Sequence, residues 1–373
     1  MQTGKCLRLV IAALFVLIFR TASDAQDIPA LRDVSDPGER ARIRALIDGA
    51  RAEGKLEWVG TMIEPVHAKY IIEKFKAYYG LPNLVMQYTY SNSAQIVTTI
   101  EQLLKAKRNN FDIVWTTNWA WYKDLVARGK MMRYDSPKYK EYTLSNSAGF
   151  SNPGYWVSDA TAFSPMYNPK ALAKAGIKDF NPTSWWDFVD PKLAKLVSMV
   201  TISQSITTAL AAIGWRKALG LEWFKRLARI KPVLTTKTAQ GREWAATGEY
   251  PIHITSHGKN VSIVRKSGAP VELVYPKEGV ALTPLVPIIL ADAPHPNVGK
   301  LFIDYVRSGV GTNAIVDAGV YLFFGRPGVR SPEPDLQPPW EDVKQIAMNW
   351  DVDGSEESIR DIQKMCVEIG LCY

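Results

Sequence analysis

KLEWVGT (55–61), VHAKYIIEKFKAYY (66–79), LVMQYTY (84–90), AQIVTTIEQLLKAK (94–107) and FDIVWTT (111–117) follow one another along this chain almost without interruption. The first, third and fifth are short runs rich in β-branched and aromatic residues, as strands are. The second and fourth place Ile71, Phe75 and Tyr78, and then Ile96, Ile100, Leu103 and Leu104, at helical spacing, so each buries one stripe. Strand, helix, strand, helix, strand in this order predicts a parallel sheet with helices on its faces, an α/β fold.

The pattern pauses over an irregular, aromatic-rich passage (118–165) and then resumes. Ser184 and Asp187 have the spacing of a capping box, LVSMVTI (196–202) reads as a strand, and a helix starts from Ser205. Two amphipathic helices follow near 221–230 and 238–247, with Gly248 closing the second. GEYPIHITSHGKN (248–260) is a strand running into a loop. Alternation puts His253 on a face of that strand and His257 at its end, where α/β proteins keep their ligands. APVELVY (269–275) reads as a further strand, and 296–308 as a helix turning Leu301, Phe302, Tyr305 and Val306 inward. A chain of 373 residues exceeds what one core holds, so two α/β lobes are expected.

Lys5 and Arg8, the apolar run Leu9 to Phe19, and Ser23-Asp24-Ala25 together predict a signal peptide over residues 1–25. Arg20 ends the run short of bilayer-spanning length. Cys6 precedes the run and is removed with it, and the remaining Cys366 and Cys372 are either a small C-terminal disulfide or two free thiols. Lys and Arg outnumber Asp and Glu by 45 to 37, for a net charge of +8, but the basic residues are scattered and no nucleic-acid partner is expected.

The chain carries no Gly-rich phosphate loop, G-x-S-x-G, H-E-x-x-H or C-x-x-C. Its four histidines are His67, His253, His257 and His295, of which His67 and His295 read as surface or capping residues. A polar loop instead follows each strand and leads into a helix: Thr61 to Glu64, Ser91-Asn92-Ser93, Thr116-Thr117-Asn118, and Ser203-Gln204-Ser205. Free backbone N–H groups at helix starts favour anions, although each such loop also serves as an ordinary N-cap. Their recurrence in two successive lobes predicts a cleft between the lobes.

The segments 58–80, 91–104, 184–205, 248–258, 267–280 and AGVYLFFGRPGV (318–329), in this order, resemble the extracellular solute-binding proteins of ABC importers, in the branch that includes the ferric-iron and phosphonate binders. The resemblance implies a type II-like two-lobed periplasmic-binding-protein fold, with lobe 1 at 27–160 plus 285–335 and lobe 2 at 161–284 plus 336–373. It also implies a monomeric periplasmic protein that captures a small polar solute, an organic acid or a zwitterion such as a phosphonate. The solute passes to an inner-membrane permease with its ATPase, with no catalysis, cofactor or metal. In the iron members two adjacent tyrosines follow the GE-containing strand, and a histidine sits in the first loop. Those positions fall here near His257 and Gly258, and near Glu64, so the phenolates that a ferric ion wants are missing. His257 is then expected to donate a hydrogen bond to the ligand, and Glu64 to meet any cationic end, while His253 is structural. The expected ligand-binding set is Thr61, Glu64, Ser91, Ser93, Thr117, Asn118, Trp119, Ser203, Ser205 and His257, with Tyr321 from the segment that reaches the cleft in the family. The alternatives are a ferric-iron or iron-chelate binder of the same family, or a secreted two-lobed α/β enzyme, which close, strongly perturbed titratable groups in the cleft would favour.

Overall fold

The computed structural model describes residues 28–32 and 34–372, so the expected signal peptide lies outside the described residues. After helix α1 (Pro37–Glu53), the opening run folds as its periodicity requires. Strand β1 (Lys55–Gly60) lies parallel to both β2 (Val85–Tyr90) and β3 (Ile113–Thr116). Helix α2 (Pro65–Tyr79) buries Ile71, Phe75 and Tyr79, and α3 (Ser93–Ala106) buries Ile96, Ile100 and Leu104. Tyr78 and Leu103 stand at the margins of these stripes, half-buried.

Beyond α4 (Trp119–Ala127) the chain forms β4 (Asp159–Thr161) and then β5 (Ser164–Tyr167), which belong to different sheets. The second sheet grows with β6 (Val197–Val200), α5 (Ile206–Arg229), β7 (Val233–Thr235), α6 (Thr238–Thr247), β8 (Ile252–Ser256), α7 (Gly258–Lys266) and β9 (Glu272–Leu273). The chain returns to the first sheet through β10 (Thr283–Ile289) and covers it with α8 (Pro296–Arg307). The strand orders are β2-β1-β3-β10-β4 and β9-β5-β8-β6-β7, and these sheets with their helices are the two lobes. Residues 286–289 of β10 pair with β3, whereas 283–285 pair with β4. Each half has a neighbour on one side only, which is how an inner strand accommodates Pro284 and Pro287 without losing ladder bonds.

The crossing is anchored by a buried ion pair. Asp159 of β4 meets the Arg307 guanidinium and also accepts from the Gly325 amide at 3.1 Å, with both charged side chains wholly buried. Two expected elements differ in form. The strand over 269–275 shrinks to Glu272–Leu273, because Pro270 and Pro276 bracket it and neither has an N–H to donate. The helix from Ser205 and the one near 221 run on from each other across a break at Gly220, whose φ of 74° only glycine adopts readily.

The C-terminal segment braces both lobes. In α9 (Trp350–Asp353), Asp351 pairs with Lys123 of α4 at 2.7 Å and Asp353 with Lys217 of α5 at 2.5 Å. Trp350 packs on Trp119 and on Phe150. Helix α10 (Glu356–Glu368) lies along α5, and its Gln363 side chain donates to the carbonyls of Ile202 and Ser203 at 3.4 and 3.3 Å. Cys366 and Cys372 are joined as a disulfide that closes the end of this helix. Among the described residues no helix is long and apolar enough to cross a membrane.

Candidate functional site

A cavity of about 290 Å³ opens between the lobes. Its first-lobe wall is Thr61 and Met62 after β1, with Tyr90 to Ser93 and Gln95 where β2 passes into α3. Its second-lobe wall is Phe163, Val200, Ser205, Thr207, residues 236–239 and His257. The volume lies near the low end of the ~300–1,000 Å³ usual for small-molecule sites, room for a metabolite rather than a peptide.

The wall is built largely from helix beginnings. Asn92, Ser205, Lys237 and His257 are the N-cap residues of α3, α5, α6 and α7, and all four line the cavity. At α3 the Asn92 carbonyl oxygen accepts from Gln95 N at 2.9 Å, and at α5 the Ser205 hydroxyl accepts from Thr208 N at 3.2 Å. Neither α6 nor α7 has a side-chain cap. The first N–H groups of a helix have no partner within it, and the aligned peptide dipoles leave partial positive charge there. The N-cap residues of four helices, Lys237 among them, line the cavity, and no carboxylate does. Helix starts of this kind favour an anion over a cation.

The two strand histidines separate by role. His253 is fully buried, with Nδ1 2.9 Å from the Ser198 hydroxyl and Nε2 3.2 Å from that of Thr255. Gly241 packs so closely on its ring that a Cβ there would sit 2.0 Å from it. His257 reaches the cavity with Phe163 against its ring at 4.6 Å. Its Nδ1 lies 3.0 Å from the Ala162 carbonyl and 3.2 Å from the Thr161 hydroxyl. A carbonyl only accepts, so Nδ1 carries the ring proton. It therefore cannot take a proton from Thr161, as a catalytic base would. Burial pushes both histidines down to about 3, and Lys259 adds to the effect on His257, so both rings are neutral.

Glu64, on the loop after β1, is not part of the lining and is already engaged. It lies 3.3 Å from Arg242 and 3.8 Å from Lys259, both on second-lobe helices, and the Lys259 ammonium also donates to the Met62 carbonyl at 2.7 Å. Burial lowers Lys259 to about 8 against the opposing pull of Glu64. With two cations beside it, this carboxylate has no surplus charge for a ligand ammonium, contrary to the expectation drawn from its loop position.

Of the expected residues, the structure brings Thr61, Ser91, Ser93, Ser205 and His257 to one cavity. Thr117 is just behind it, its hydroxyl 2.6 Å from that of Thr207 across the lobes. Asn118 caps α4 by accepting from Trp121 N at 3.2 Å, and Ser203 bonds the Thr201 hydroxyl at 2.9 Å. Trp119 packs edge-on against Trp156 in the core, and Trp121 donates its indole N–H to Glu101; neither lines the cavity. Tyr321 is turned to Glu333, away from the lining. Sequence reading missed Tyr90, Phe163, Thr207 and the loop 236–239. The helix start at 238 was the available signal for the last.

A family profile described as bacterial extracellular solute-binding protein matches residues 59–321. The chain belongs to this family. Among solved structures, this solute-binding protein is similar to the periplasmic binding protein AfuA from Actinobacillus pleuropneumoniae, with fructose-6-phosphate bound. The two share 19% identity over 84% of this chain and 98% of that one, with a TM-score of 0.71. It is similar to iron-bound HitA from Pseudomonas aeruginosa at 17% identity, covering 85% and 99%, with a TM-score of 0.64. At these identities the likeness is one of fold. An uncharacterized protein of Haemophilus influenzae is 30% identical over 149 residues, 39% of this chain and 42% of that protein. The match thus spans less than half of that relative's length.

Gly258, near which the resemblance sets one of the iron binders' tyrosines, is closed in this solute-binding protein. Gly258 packs under the tail so that a Cβ would lie 2.0 Å from the Leu336 carbonyl oxygen, and Tyr275 donates to that same oxygen at 2.9 Å. No side chain fits at 258 while the tail is docked.

Proposed function

We propose that this solute-binding protein is the periplasmic capture component of an ABC importer, holding a small organic anion between its lobes and delivering it to an inner-membrane permease. The observation that carries this reading is the wall of four helix N-termini with Lys237 and no carboxylate. The lobes divide at 27–160 plus 285–335 and 161–284 plus 336–373, and the protein acts as a monomer. Glu64, held by Arg242 and Lys259, favours an organic acid or phosphate ester over a zwitterion. A ferric ion finds one phenol in the lining, Tyr90, and no carboxylate. AfuA, with fructose-6-phosphate in its structure, shows that the fold accommodates a phosphate ester.

The test is calorimetry with a panel of small carboxylates, phosphonates and phosphate esters, alongside ferric citrate and matched neutral and cationic compounds. Selective binding of anions, weakened at least several-fold by Lys237→Gln, supports the reading. Binding confined to ferric iron or to cations overturns it.

A further inference from the structure

The anion-facing helix ends account for one side of the ligand. His257 specifies the other. Its single N–H is committed to the backbone at Ala162, and the Phe163 ring lies against the imidazole, so ring orientation and tautomer are both fixed. The remaining nitrogen, Nε2, is then a lone-pair acceptor that no protein group among the described residues engages. It is not among the enclosed polar atoms that lack a partner, although the Thr61 hydroxyl on the facing wall is. An atom without a protein partner that is not sealed off opens onto the cavity that its residue lines.

We propose that His257 Nε2 is a specificity-determining acceptor, and that the ligand is therefore a hydroxylated anion: a carboxylate or phosphate head at the helix N-termini and an O–H donated to His257. This rests on the anion-site reading above. The donor must be neutral, because the Lys259 charge acts on His257 and the carboxylate nearest to Lys259, Glu64, is already paired with it and with Arg242, which leaves no field to hold an ammonium. The depressed basicity of the ring keeps it an acceptor throughout the neutral range. A buried acceptor discriminates sharply, since an analogue that lacks the hydroxyl leaves it desolvated and unpaired.

Matched pairs test this: lactate against propionate, and glycerol phosphate against propyl phosphate, measured by calorimetry on the full chain. Each pair shares its anion and differs in hydroxyl, and the carboxylate and phosphate arms distinguish the two heads. Wild type is expected to prefer the hydroxylated member at least tenfold in one arm. His257→Phe keeps the aromatic contact with Phe163 and removes the acceptor, so the ratio within the pair should collapse toward one, whatever the absolute affinity. Lys237→Gln should lower both members and preserve the ratio. Equal wild-type affinities within both pairs, or a preference that survives His257→Phe in protein with a native circular dichroism spectrum, overturns the role of His257 and leaves the anion site standing. Failure of every anion to bind overturns the anion site, and this inference with it.

Discussion

Two neutral histidines inside the second lobe make the stability of the fold acid-sensitive in a way that can be computed. His253 and His257 titrate near 6.5 in an unfolded chain and are pushed down to about 3 by burial. Between those values the unfolded state binds a proton at each that the folded state refuses, so stability falls as pH falls and is unaffected above about 7. Each contributes ~1.4 kcal/mol per pH unit across that window, which integrates to ~2 kcal/mol per histidine from pH 7 to 5 and ~4 kcal/mol for both. The loss levels off only near the folded values, about 3. Carboxylates add their own slopes. Asp112, raised by burial, makes the folded protein gain as pH falls, and Glu39, lowered chiefly by its bond to Arg42, makes it lose. A difference measurement removes them: urea unfolding of ligand-free wild type and His253→Gln at pH 7, 6 and 5. The variant starts lower because its core is disturbed, but between pH 7 and 5 it should lose about 2 kcal/mol less than wild type. Parallel losses in the two proteins would refute the claim that His253 is buried in its neutral form.

Three further outcomes follow from particular contacts. Glu64→Gln leaves the buried Lys259 with only the Met62 carbonyl, so urea stability should fall by about 1–2 kcal/mol, while affinity for an organic acid holds or improves; a weakened acid would restore Glu64 as a ligand residue. Cys372→Ser opens the loop closed by the Cys366–Cys372 bond, which by loop closure alone should cost about 2 kcal/mol in thermal or urea unfolding; an unchanged midpoint would show that the tail is held by packing. Titration with ferric citrate should raise no visible tyrosinate band in wild type, nor in a His257→Tyr, Gly258→Tyr double variant, because the Leu336 carbonyl occupies the space of any side chain at 258; a red, stoichiometric complex in either would contradict that steric argument.

The opening α/β run was legible in the sequence because its strands and helices each bury a regular stripe. Ile71, Phe75, Ile96 and Ile100 all face the core. The strand over 269–275 was legible only in part, since apolar alternation does not report the donors lost at Pro270 and Pro276. Within the site, position along the chain was readable and direction was not. Ser91, Ser93 and Ser205 line the cavity, but Asn118, a helix cap like Ser205 in an equivalent loop, does not, and Trp119 behind it fills the core against Trp156 and Trp350. Glu64 was recognisable as a charge in the loop after the first strand, yet its partners come from helices 178 and 195 residues further on, Arg242 and Lys259, and no local pattern announces them. The steric closure at Gly258 depends on a carbonyl contributed by residue 336, likewise invisible in the local sequence.

The position of β10 has a consequence for the order in which the molecule can be made. Strand β3 pairs with β1 on one side and with residues 286–289 on the other, so until those residues emerge from the ribosome Ile113, Val114 and Trp115 form an open, apolar sheet edge. Asp159 on β4 likewise waits for Arg307, carrying a charge destined for full burial without its counter-ion. An N-terminal fragment therefore cannot finish its first lobe however long synthesis pauses, and pairing across some 170 residues must precede completion. Such long-range closure is slow. Until that closure the β3 edge stays open, the strand of the first sheet with the longest wait for its partner.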